Sequence, residues 1–145
     1  MFLNNQMKFR KSLDVPDPFK KHLTDAGWDL SSPIDFAIAP GKMSDRINLG
    51  VGFEVPNRHC GYVVERSSQG KKGVHAIGPV VDHGYTGDVH VTLVNNGNEE
   101  YVVKKGDRIC QILFITLYTL DNTMVEVNEF EDTERGNDGH GSSGA

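Results

Sequence analysis

Val89-His90-Val91-Thr92-Leu93-Val94, running straight into Asn95-Asn96-Gly97-Asn98, decides the fold class. Apolar residues alternate with polar ones, the period-two signature of a half-buried strand, and the Asn/Gly cluster then turns the chain. Outward from there, Glu99 to Val103 resumes extended structure. Ile109 to Phe114 is nearly continuous in apolar character, as expected of a strand buried on both faces. Gly61 to Val64, Ile109 to Thr116 and Met124 to Val127 read as further β-rich runs. Only Asp17 to Thr24 suggests a helix or helical turn, started near Pro18. Many short strands without helical periodicity predict an all-β domain, a jelly-roll-like barrel or sandwich. Residues 1–130 form that domain, and the acidic run Glu129 to Glu134 leads into a flexible glycine-rich arm, 131–145.

Composition narrows the function classes. At 145 residues, with 37% apolar and 24% charged, one globular domain with a real core is expected. No apolar run approaches a membrane span, and Met1 to Lys11 lacks a signal-peptide core, so no membrane association is expected. The formal net charge of −5 argues against general nucleic-acid binding. Cys60 and Cys110 stand far apart without CxxC or paired-His spacing, which argues against zinc and fits a reducing, cytoplasmic setting.

Five segments carry polar residues or glycines that a plain β domain does not need. Asp25-Ala26-Gly27-Trp28-Asp29-Leu30 reads by itself as a turn entering a strand, with Asp29 solvated. Glu65-Arg66-Ser67-Ser68-Gln69-Gly70-Lys71-Lys72-Gly73 suits oxyanion binding and equally suits a solvated basic loop; it lacks P-loop spacing. Val80-Val81-Asp82-His83-Gly84-Tyr85-Thr86-Gly87-Asp88 reads as a tight hairpin between two strands. Asp82 closes an apolar strand, where partial desolvation would raise its pKa toward that of a general base. Tyr85 offers a flat platform for a ring or sugar, or ordinary hairpin packing.

In Lys105-Gly106-Asp107-Arg108-Ile109-Cys110-Gln111, Asp107 and Arg108 suggest a structural ion pair. Gln111, inside an apolar run, needs a partner for its amide, backbone or ligand. The fifth segment is Arg135-Gly136-Asn137-Asp138-Gly139-His140-Gly141-Ser142-Ser143-Gly144. Its donors and glycines are built to wrap an anion, yet nothing in it offsets the entropy of ordering.

In this order the five segments resemble the trimeric dUTP diphosphatase (dUTPase) family, from about Asp25 to Gly144. Asp-Ala-Gly-Trp-Asp-Leu is similar to the family's Ala-Gly-Tyr-Asp-Leu, and Arg66-Ser67-Ser68 to its Pro-Arg-Ser-Gly. Val81-Asp82 with Tyr85 and Gly87 resembles Ile-Asp-x-x-Tyr-x-Gly; Gly106 to Gln111 resembles Gly-Asp-Arg-Ile-Ala-Gln. The tail resembles Arg-Gly-x-Gly-Gly-Phe-Gly-Ser-Thr-Gly.

The resemblance implies hydrolysis of dUTP to dUMP and pyrophosphate by water attack on the α-phosphorus. That reaction keeps uracil out of DNA and supplies dUMP for dTMP synthesis. It implies Asp82 as the group that deprotonates the water, and Mg²⁺ bridging the phosphates with Asp29 reaching it through water. Arg66, Ser67, Ser68 and Gln111 are implied phosphate ligands, Tyr85 the deoxyribose platform, and backbone around Val80 the uracil reader. The arm would close over a neighbouring subunit's nucleotide in a homotrimer: Arg135 at the γ-phosphate, Gly141, Ser142 and Ser143 nearby, His140 over uracil. A viral protein of this kind would act in host cytoplasm.

The chain departs from the family at several places. Glu65 replaces proline, Ser68 glycine, Pro79 glycine, Gly84 an acidic residue, Asp138 glycine and His140 the tail aromatic. The related dCTP deaminases share Arg-Ser-Ser and Asp-x-Gly-aromatic segments, but carry a proton-shuttling glutamate where this chain has Thr92. A hydroxyl cannot serve as acid and base there at neutral pH. A non-catalytic nucleotide-binding regulator on the same scaffold is the third reading.

Overall fold

The computed structural model describes residues 6–134 and residue 136. Twelve strands and one short helical turn follow in chain order: β1 Lys8–Lys11, β2 Trp28–Ser31, β3 Phe36–Ile38, β4 Lys42–Met43, β5 Ile47–Asn48, β6 Val51–Glu54, β7 His59–Val64, α1 Ser67–Gly70, β8 Val74–Ile77, β9 Val80–Val81, β10 His90–Asn95, β11 Tyr101–Val103 and β12 Arg108–Thr116. Every pairing between them is antiparallel. One four-stranded sheet runs β2-β12-β7-β9; β10 is the hub of another, flanked by β4, β5 and β8; β1-β6 and β3-β11 are two-stranded.

The alternation in β10 works as its pattern requires. Val91, Leu93 and Asn95 are buried, while His90, Thr92 and Val94 are half-covered on the other face. Asn95 is the last strand residue as well as the turn former. Its Nδ2 donates to the Ile38 and Glu99 carbonyls, both at 2.8 Å, and its Oδ1 accepts the Gly97 N–H. The inward faces meet in one core that includes Leu30, Ile38, Leu49, Val63, Leu93 and Ile112. The strands that surround it pair their backbone groups with one another within the sheets.

Ile109, Cys110 and Ile112 are fully buried, as the apolar run in β12 predicted. A bulge makes this possible: pairing with β2 slips between Arg108 and Cys110, so two successive residues turn inward. Burial pushes the Cys110 thiol up, so it packs as a neutral hydrophobe.

Two expectations fail and one is met only as a turn. Asp17 to Thr24 forms no helix, and its one turn is closed by the Asp25 N–H on the His22 carbonyl; Phe19 exchanges backbone hydrogen bonds with Asp29, extending the β2 edge. The Asp25 carboxylate accepts the His22 N–H, and so few residues cannot repay helix nucleation. Met124 to Val127 is not a strand; it is exposed, with no partner backbone among the described residues. Finally, β9 and β10 do not form a hairpin with each other. The turn after β9 is real, but β9 joins β7 and β10 joins the other sheet.

Candidate active site

The sheet register assembles one part of the predicted site. Gln111 stands opposite Asp29 of β2 on one side and Val64 of β7 on the other. The three make a row across adjacent strands, and Glu65 and Arg66 continue β7 just beyond it. Gln111 Nε2 donates to the Glu65 carbonyl at 2.9 Å, so its partner here is backbone. Gly27 leaves room for the Gln111 amide: a Cβ there would lie 2.3 Å from Gln111 Oε1, so a larger residue would displace that side chain.

Asp29 anchors this cluster. Arg66 Nε lies 3.0 Å and Arg108 Nη1 3.4 Å from the same carboxylate oxygen, Oδ2. Arg66 Nη1 also donates to the Arg108 carbonyl at 3.1 Å. Asp29 is therefore a paired, largely covered carboxylate and not the solvated one expected. The anticipated Asp107–Arg108 pair does not form either. Arg108 turns to Asp29 and stacks on the Phe19 ring, while Asp107 accepts the Lys104 N–H. With some of its five N–H donors committed, Arg66 keeps others for a ligand.

Ser67 and Ser68 are exposed at the start of α1, beside a polar cleft of ≈ 450 Å³. Arg66, Ser68, Gln69, Lys72, Tyr101 and Arg108 line it. Gln69, which sequence reading left out of the site, is only 2% exposed. Its Oε1 accepts the Arg66 N–H at 3.0 Å, and its Nε2 donates to the Ile109 carbonyl at 2.6 Å and to Tyr101 Oη at 3.3 Å. An amide three residues after Arg66 was the available signal, since that spacing lets a side chain reach back to the start of a turn. Burial pushes the Tyr101 hydroxyl up, the hydrogen bond from Gln69 opposing it, so Tyr101 is neutral.

Val80, Asp82 and Tyr85 lie elsewhere. Val81 pairs with Gly61, so Asp82 falls level with the start of β7, whereas Arg66 lies past its end. From residue 60 to 66 an extended strand spans ~20 Å. The turn is closed by Tyr85 N–H on the Asp82 carbonyl at 3.1 Å, with Gly84 at φ +89°. His83 Nδ1 donates to the Val55 carbonyl at 2.8 Å. Tyr85 Oη donates to the Asp88 carbonyl and its ring covers Gly87, where a Cβ would lie 2.3 Å from the hydroxyl oxygen.

The turn borders an apolar cavity of ≈ 310 Å³ lined by Phe9, Phe53, Val55, His83 and Tyr85 among others. Asp82 itself is exposed in the single chain, so the desolvation expected of it is absent there. Arg135, His140, Gly141, Ser142 and Ser143 lie outside the described residues.

A family model described as dUTPase matches residues 14–144, nearly the whole chain. The chain belongs to the dUTPase family. The deoxyuridine 5'-triphosphate nucleotidohydrolase of variola virus is 32% identical to this dUTPase over 145 residues, covering 99% of this chain and 97% of the viral one. The fold matches the dUTPase of Staphylococcus bacteriophage 80alpha with dUpNHpp, at a TM-score of 0.86 and 24% identity, over 97% of this chain and 99% of the phage chain. A D95N variant (in its own numbering) of the dUTPase of phage phi11 of S. aureus, described for coordination of a structural Mg(II) ion, matches with TM-score 0.74 and 22% identity. That match spans 88% of this dUTPase and 100% of the phage chain. The predicted all-β, jelly-roll-like class is thus the observed one. No helix of the described residues is long and apolar enough to cross a membrane.

Proposed function

We infer that this dUTPase hydrolyses dUTP to dUMP and pyrophosphate by water attack on the α-phosphorus, at sites shared between copies of the chain in a homotrimer. One observation carries the shared-site reading. The anion-binding cluster of Asp29, Arg66, Ser67, Ser68 and Gln111 and the Asp82 turn stand at opposite ends of β7. The ~20 Å between them is far more than three linked phosphates span. A second copy must bring its Asp82 turn to the first copy's arginines.

The exposed apolar segment around Met124, Val125, Val127 and Phe130 supports assembly, since such a run is normally covered. The covering neighbour would also desolvate Asp82, which suits a base that deprotonates the attacking water. Arg66 and the serine hydroxyls hold the phosphates as preorganised donors. Tyr85 packs against the deoxyribose, excluding a 2′-hydroxyl, and backbone at Val80 reads uracil.

Among the described residues no three His, Cys, Asp or Glu side chains form a metal cage. With both arginines on Asp29 Oδ2, the donor set fits an ion carried by the phosphates and reached from Asp29 through water, as Mg²⁺ commonly binds. When bound, Mg²⁺ neutralises charge on the triphosphate.

The arm, residues 131–145, closes over the nucleotide. Arg135 meets the γ-phosphate, Gly141, Ser142 and Ser143 supply further donors, and His140 stacks on uracil as a smaller ring than phenyl. The buried, unbridged Cys60 and Cys110 are consistent with an intracellular site of action.

The test is pyrophosphate release from dUTP with Mg²⁺, beside dCTP, dTTP and UTP, for the full chain and for one lacking residues 135–145. Turnover of dUTP alone, largely lost on truncation, is expected. Ammonia from dCTP would overturn the reading in favour of deamination, and no turnover would leave a binding protein.

A further inference from the structure

We propose that Gln69 is a positioning residue for triphosphate binding, locking the backbone of Arg66 onto the bulge of β12 so that the guanidinium is aimed before the ligand arrives. The inference rests on the proposed role of Arg66 as a phosphate ligand.

A buried primary amide has to satisfy its donors and its acceptor, and Gln69 does so with groups that belong to the site. Its Oε1 takes the Arg66 N–H, and its own backbone N–H donates to the Arg66 carbonyl at 2.9 Å. The Arg66 main chain is therefore gripped on both sides by one residue. Through Nε2 the same side chain is fixed to the Ile109 carbonyl, immediately after Arg108. Ile109 is where the β12 register slips, so this carbonyl lies at a bulge.

The loop that bears Arg66, Ser67 and Ser68 is thus tied to the strand that bears Arg108 and Gln111. Arg66 Nη1 on the Arg108 carbonyl and both guanidinium groups on Asp29 complete the frame. Pre-set donors lose less freedom on binding, and the gain is greatest for the ligand that uses most of them. Triphosphate uses the cluster fully, whereas a nucleoside monophosphate depends mainly on the turn and cavity at the other end of β7.

The test compares a non-hydrolysable dUTP analogue with dUMP, by calorimetry with Mg²⁺, on the full chain and on Gln69→Leu, Tyr101→Phe and Arg66→Ala chains. Gln69→Leu keeps the bulk and removes all three side-chain bonds. Its affinity for the analogue should fall about tenfold, ~1.4 kcal/mol, with dUMP binding changed by less than about threefold. Tyr101→Phe removes one acceptor and should change neither by more than about twofold.

Equal weakening of both ligands by Gln69→Leu, or weakening of neither, would overturn the proposal. If Arg66→Ala leaves analogue binding intact, the phosphate role of Arg66 fails instead. Should Gln69→Leu not fold, Gln69→Met, which is also of similar bulk, uncharged and without the three side-chain bonds, carries the same comparison.

Discussion

Arg66 and Arg108, more than forty residues apart in the chain, converge on one oxygen of Asp29, at 3.0 and 3.4 Å. Two cations on one carboxylate leave the cluster net positive, which suits a polyanionic ligand, and fix both guanidinium groups before it binds. Asp29→Asn should release both arginines. A charged hydrogen bond at this partly exposed site contributes about 1–2 kcal/mol. Urea unfolding should show a loss of that size, and KM for dUTP should rise about tenfold.

Asp82→Asn keeps the turn, because the turn is held by the backbone bond from Tyr85 and by His83 on Val55. The amide cannot take a proton from water. Turnover should fall by about 10²–10⁴ with binding of the dUTP analogue retained. Undiminished turnover would remove Asp82 from the chemistry.

Val125 is 76% exposed and Val127 55% in the single chain. A charge placed there costs nothing in a monomer but is expelled from an interface. Val125→Asp should lower the mass seen by analytical ultracentrifugation and reduce activity together. An unchanged trimer mass, or a monomeric parent, would contradict assembly through this segment.

Asp88 supplies the pH dependence. The Ser12 hydroxyl bond, with Asn48 and Arg10, holds its carboxyl below the usual carboxylate range. Arg10 Nη1 lies 3.1 Å from Oδ1 as an ion pair and not an aligned hydrogen bond. A folded-state pKa below the unfolded one adds stability that is complete above about pH 4 and is lost as pH falls through the lower value. Asp88→Asn should therefore lower Tm by ~3 °C at neutral pH and flatten the fall in Tm below about pH 4.

The strands carrying one-sided or continuous apolar patterns were legible: β10 by alternation, β12 by its unbroken run. The order of the five polar segments was legible too, and the register explains why they matter, since it sets Asp29 opposite Gln111. What could not be read was whatever depends on a distant partner. Phe19 extends a sheet because Asp29 offers backbone, and no local pattern announces that. Met124 to Val127 looks like a strand because its side chains suit one, yet a strand needs a neighbour's hydrogen bonds. Gln69 is polar in composition and buried in fact, a status conferred by Ile109 and Tyr101 from elsewhere in the chain.

The placement of Arg66 and Asp82 at opposite ends of β7 has a genetic reading. At the proposed shared site, a chain lacking one of these groups would still offer the other to its neighbour. Two inactive proteins, one altered at Arg66 and one at Asp82, should complement when unfolded and refolded together. In randomly mixed closed rings about a quarter of the sites draw both intact groups from different chains. The converse also holds: a chain altered at both groups spoils two sites instead of one, so in an equal mixture with sound chains only about a quarter of the sites should stay active, against about half for a chain altered at either group alone.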